Sequence, residues 1–104
     1  MKAAVPELTE KQIQAQIVEY LRWHGWFVSE IRERYSNGTG RYSDPGIPDI
    51  VAIKDGRTIW LEVKTPKGKV RPSQLKWHEE CKKHGGEVQV VRSLQAYCYY
   101  ESWH

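Results

Sequence analysis

The spacing of apolar positions changes several times along the chain, and each change marks an element. Across residues 9–23 it is helical: Ile17 and Leu21 fall on one side together with Glu10 and Gln14, and Ile13 and Val18 flank them. Thr9, with Gln12 three residues on, forms a capping box at the start, and Gly25 stops the helix. Residues 26–32 (WFVSEIR) are aromatic and β-branched, the composition of a strand. Residues 49–64 read as two apolar strands around Asp55-Gly56, a pair that tolerates the positive φ of a type I′ hairpin turn. Val51, Ile53 and Trp60 fall on one face of this hairpin, and Ile50, Ala52, Ile59 and Leu61 on the other. Two apolar faces predict central strands covered on both sides. Pro72 suits the first position of a second helix running to His84, with Gln74, Trp77 or His78, and Cys81 turned inward. Residues 87–91 (EVQVV) form a last strand, and Ser93 caps a short terminal helix. The aromatic residues Tyr97, Tyr99, Tyr100 and Trp103 there suit the core or a subunit contact.

A two-residue hairpin loop fixes a register. Lys54 then faces Arg57, Ile53 Thr58, Ala52 Ile59, Val51 Trp60, Ile50 Leu61, and Asp49 Glu62. Like charges directly opposed across a ladder are destabilising, so the Asp49–Glu62 pair needs a compensating charge. Lys64 shares the face of Glu62, and the Val63 carbonyl is expected near both acids, which together describe a hard-cation site with a lysine beside it. A loop one residue longer would send Asp49 to the opposite face. Glu10 brings a third acid to a mostly apolar helix stripe, although a first-turn glutamate also complements the helix dipole whatever its function.

Residues 33–45 (ERYSNGTGRYSDP) form a long loop with Arg32 and Arg34 at its start and Arg41, Tyr35 and Tyr42 within it. Cations beside aromatics suit phosphate contacts and base stacking, and a solvated surface loop has the same composition. Lys67, Lys69 and Arg71 make a second basic segment between the hairpin and the next helix. Its Gly68-Lys69 pair lacks the upstream glycine and following hydroxyl of a phosphate loop. Cys81 and His84 have a zinc-compatible spacing, with no second pair to complete four ligands. No serine or cysteine sits in a nucleophile elbow.

With 104 residues, 39% hydrophobic and 28% charged, the chain reads as one globular domain, residues 1–104, rather than a disordered segment. A net charge of +3 permits a polyanionic partner without demanding one. No apolar run approaches a membrane span, and the first ten residues lack the apolar core of a signal peptide, so a cytosolic protein with reduced thiols at Cys81 and Cys98 is expected.

The order helix, strand, strand, strand, helix, strand, with these acids on it, resembles the PD-(D/E)xK nuclease superfamily: Pro48-Asp49 is its PD element and Glu62-Val63-Lys64 its ExK element. Within it the chain resembles the VRR-NUC (virus-type replication-repair nuclease) domain. The pattern is Glu10 on the first helix, Gly46-Ile47-Pro48-Asp49, Glu62-Val63-Lys64 and the downstream Gln74, over residues 9–93. The resemblance implies an α/β fold, a restriction-endonuclease-like αβββαβ core with a mixed central sheet flanked by helices. It also implies a metal-dependent DNA endonuclease leaving 5′-phosphate and 3′-hydroxyl ends, with Mg²⁺ or Mn²⁺ on Asp49, Glu62 and the Val63 carbonyl and no small-molecule cofactor. By the same resemblance Glu10 contributes to the metal environment, Lys64 orients the attacking water, and Gln74 orients Lys64 or touches the phosphate. Arg32, Arg34, Arg41, Lys67, Lys69 and Arg71 are the candidate DNA contacts. Small relatives of this kind resolve four-way (Holliday) junctions as homodimers, which implies a dimer on branched DNA, in repair, in the nucleoid or a phage-infected cytoplasm. A nicking or flap nuclease and a non-cleaving DNA-binding module are the alternatives; loss of Asp49, Glu62 or Lys64 would mark the latter, and all three are present.

Overall fold

The computed structural model describes residues 7–31 and 45–102. In chain order these form α1 (Glu10–Trp23), β1 (Phe27–Glu30), β2 (Ile50–Lys54), β3 (Arg57–Val63), α2 (Pro72–Lys83), β4 (Glu87–Val91) and α3 (Leu94–Glu101). The basic loop with Arg32, Arg34 and Arg41, and Trp103, lie outside the described residues.

The sheet is mixed, in the order β1-β2-β3-β4. β1–β2 and β2–β3 are antiparallel, whereas β3–β4 is parallel and uses α2 as the crossover that such a pair requires. The hairpin has the expected register from Lys54↔Arg57 to Ile50↔Leu61. Its turn has positive φ at both positions, 50° at Asp55 and 79° at Gly56, as the Asp-Gly pair demands. Thr9 caps α1 in a full capping box with Gln12, Pro72 opens α2, and the Ser93 hydroxyl accepts from the Ala96 N–H at the start of α3.

One face of the sheet carries the core. Ile13, Ile17, Val18 and Leu21 of α1 and Tyr97 of α3 pack on Val28, Ile50, Ala52, Ile59, Leu61, Val63 and Val91. Each fully buried aliphatic side chain of this set contributes on the order of 1.5–3 kcal/mol. Among the described residues the other face is covered only in part, which corrects the expectation that both sides of the hairpin would be enclosed. α2 seats on it over β3 and β4, with Trp77 against Trp60 at 5.0 Å between ring centroids. Beyond the helix, the cross-strand pair Phe27 and Ile53 stays 69% and 41% exposed. One helix of 12 residues is too narrow for four strands.

Candidate active site

The ladder between β2 and β3 ends at Ile50↔Leu61, and past that pair the two chains are joined through a side chain. Main-chain pairing continues on the β1 side, where the Ile31 N–H donates to the Asp49 carbonyl at 2.7 Å. On the β3 side Oδ2 of Asp49 accepts from the Val63 N–H at 2.7 Å. The structure therefore shows Val63 meeting Asp49 through its N–H. Pro48, which has no N–H, precedes Asp49 and is itself buried.

The ladder stops one pair short of Asp49 and Glu62, and the two carboxyls lie close enough to interact. Glu62 is 1% exposed, and burial, with the Asp49 charge as the next cause, pushes its carboxyl up to about 8; Lys64 and Arg71 pull the other way. Lys64 is also buried, and its ammonium makes no hydrogen bond or ion pair with another described residue. Gln74, in the first turn of α2 and buried, donates from Nε2 to Oε2 of Glu62 at 3.0 Å and accepts at Oε1 from the Arg71 N–H at 2.8 Å. Its amide thus bonds Glu62, a contact outside the two roles the family resemblance implied, orienting Lys64 or touching the phosphate.

Gly46 explains how Gln74 reaches so far in. It has φ 81°, and a Cβ there would overlap the Ser73 carbonyl and come within 2.8 Å of the Gln74 nitrogen. The chain entering β2 therefore lies directly on the start of α2, a close approach that only glycine permits.

A cavity of about 420 Å³ opens beside Asp49, lined by Lys11, Gln14, Glu30, Ile31, Ile47, Arg71 and Gln74 among others. Gln14 crosses it to Glu30, Nε2 to Oε1 at 3.1 Å. Glu10 is exposed one turn before Gln14 and does not join Asp49 and Glu62; among the described residues no three acidic, histidine or cysteine side chains are grouped so as to hold a metal ion together. Lys67, Lys69 and Arg71 are exposed next to the site, on a turn fastened from below by Arg92. Its Nη1 donates to the carbonyls of Thr65 and Gly68, each at 2.7 Å, and of Pro66 at 3.3 Å.

Sequence reasoning missed His78, Arg92 and the Gln14–Glu30 pair. His78 is buried with Nε2 3.6 Å from Oε1 of Glu62. Burial, then the charges of Lys82 and Lys64, hold its imidazole below the usual histidine range. Its signal was the helical spacing from Gln74, which admitted Trp77 equally. Gln14 lay on the same stripe as Glu10, a polar residue among aliphatic ones.

Both acids supply oxygen donors, and Oε1 of Glu62 is buried with no hydrogen bond. A small divalent cation satisfies both conditions, because Mg²⁺ sites use one or two carboxylates and complete their shell with water and phosphate oxygens. The donor set fits such an ion without Glu10.

An αβββαβ core with opposed acids and a buried lysine at the open end of its hairpin defines the class: this is a restriction-endonuclease-like fold of the PD-(D/E)xK type. The chain belongs to the VRR-NUC family, whose domain model matches residues 4–95. A solved structure described as a VRR_NUC domain is similar over 86% of this chain and 90% of its own, with 29% identity and a TM-score of 0.65. No curated protein matches.

Proposed function

We propose that the protein is a divalent-metal-dependent endonuclease that hydrolyses phosphodiesters in branched DNA as a homodimer. The observation that carries this reading is the Asp49–Glu62 pair, with Asp49 on the cavity wall and the Glu62 carboxyl buried and raised behind it with Lys64 near. Asp49 and Glu62 would hold Mg²⁺ or Mn²⁺, which supplies Lewis-acid polarisation of the phosphate and a more acidic water. Lys64, desolvated and unpaired among the described residues, is suited to orient the attacking water and to stabilise charge gathering on the phosphoryl oxygens. Gln74 keeps Glu62 turned toward Asp49. The first turns of α1 and α2 both border the cavity, so their dipoles favour phosphate there, and Lys67, Lys69 and Arg71 grip the flanking strand.

The part of the sheet face that α2 leaves open among the described residues supports the homodimer reading. Phe27 and Ile53 are exposed on it, and β1 is an edge strand with an unpaired outer side among the described residues. A second copy at this face would give two sites on one branched substrate. Incubating four-way, flap, single-stranded and linear duplex DNA with and without Mg²⁺ or Mn²⁺ tests the function. Cleavage of the branched substrates that needs metal is expected. Asp49→Ala should abolish it, and Lys64→Ala should slow it roughly a hundredfold to a thousandfold. Wild type that cuts nothing, or Asp49→Ala that cuts as well as wild type, overturns the mechanism. Sedimentation of a monomer that still cuts four-way junctions symmetrically removes the dimer.

A further inference from the structure

Glu62 has two carboxylate oxygens, and the fold treats both. Oε2 takes the Gln74 amide at 3.0 Å. Among the described residues Oε1 is buried without a hydrogen bond, and Nε2 of His78, also buried and without a hydrogen bond, lies 3.6 Å from it. Gln74 and His78 are four residues apart on α2, so they project from the same helical face, one above the other. The His78 ring is held from its side by Trp77, edge-on at 6.5 Å and 89°, and Trp77 rests on Trp60 of the neighbouring strand β3. The imidazole has been brought to Glu62 and held there, a few tenths of an ångström beyond hydrogen-bond length.

We propose that His78 is a positioning residue for Glu62, forming with Gln74 a two-pronged clamp in which each side chain donates to one carboxylate oxygen. A terminal carboxylate torsion is soft, and one hydrogen bond from Gln74 leaves the group free to rock about it. A second donor on Oε1 removes that freedom. Each oxygen has two lone pairs, so the clamp occupies one on each and leaves the others for a cation shared with Asp49. Outer partners of this kind orient ligating carboxylates, and their removal weakens metal affinity about 10- to 100-fold. The proposal rests on the metal reading of the Asp49–Glu62 pair.

The test titrates Mn²⁺ into the full chain without DNA, following the free ion by electron paramagnetic resonance, for wild type, His78→Phe and His78→Gln. Phenylalanine keeps the ring against Trp77 and removes the donor, and glutamine restores a donor at the same reach. Expected is a roughly 10- to 100-fold weaker Mn²⁺ affinity for His78→Phe with the unfolding midpoint retained, and recovery of most of it in His78→Gln. His78→Phe binding as tightly as wild type, or His78→Gln as weak as His78→Phe, overturns the clamp alone. Wild type that binds no Mn²⁺ overturns the metal reading with it. Should His78→Phe fail to fold, ¹⁵N-histidine spectra of Mg²⁺-saturated wild type decide. The Nε2–H tautomer, with a resonance that moves on metal addition, supports the clamp; the Nδ1–H tautomer, or indifference to Mg²⁺, overturns it.

Discussion

The two ends of the β2–β3 hairpin carry charge in opposite ways. At the turn, Arg57 lies between two acids. Its Nε donates to Oε1 of Glu87 at 3.0 Å and its Nη1 to Oε2 of Glu101 at 3.0 Å, while Trp26 covers the guanidinium at 5.7 Å. Lys54 beside it donates to the His24 carbonyl at 2.7 Å. Each of these donors points at an acceptor, and Glu87 and Glu101 raise the Arg57 pKa further. At the open end, Asp49 faces Glu62, the Glu62 carboxyl is raised by burial and by that neighbour, and Lys64 is buried without an ion pair among the described residues. The same two strands close one end with complementary charges and hold the other under electrostatic strain. Complementary charge fastens α3 and β4 to the turn; strain of this kind persists where a ligand relieves it.

Substitutions at either end sharpen the contrast. The largest effect is expected from Gly46→Ala, which meets the α2 backbone in a left-handed conformation and displaces Gln74 from Glu62. A loss of at least about 2 kcal/mol in chemical denaturation is expected, together with loss of metal binding. Next is the pH response of Glu62. In the folded, metal-free protein its carboxyl keeps its proton to about 8, whereas in an unfolded chain it ionises near 4.5. The folded state thus binds the extra proton between those values, and stability falls as pH rises through that window. Thermal unfolding of metal-free protein should show this fall, Glu62→Gln should flatten it, and a slope of the opposite sign would refute the strained pair. The smallest effect belongs to Arg57→Met. Its ion pairs are about a third exposed, so screening holds the loss to roughly 1 kcal/mol, and cleavage should match wild type. Equal losses of activity from Arg57→Met and Lys64→Ala would erase the distinction between the ends.

Much of this was legible in the sequence because the information was local. Asp55-Gly56 fixed the turn, the turn fixed the register, and the register opposed Asp49 to Glu62. Capping signals at Thr9, Pro72 and Ser93 placed the helices for the same reason. The rest depended on how elements meet. Helical spacing admitted Trp77 or His78 as the inward residue, and the packed structure uses both, Trp77 against Trp60 and His78 toward Glu62. Glu10 shared a stripe with Gln14, but Gln14 lines the cavity and Glu10 stays outside it, exposed at the first position of α1. The hairpin's apolar second face suggested full cover, and no local pattern reports that α2 stops short of β1.

Arg92 grips the basic turn only through main-chain carbonyls, and no side chain of that turn takes part. The Arg92 anchor on residues 65–68 thus does not depend on the side chain at Lys67. Lys67 is free to drift in evolution, or to be exchanged by an engineer, while the loop keeps its shape beside Lys64. An exchange at Lys67 then changes the charge of this turn and leaves the Asp49, Glu62 and Lys64 arrangement as it is.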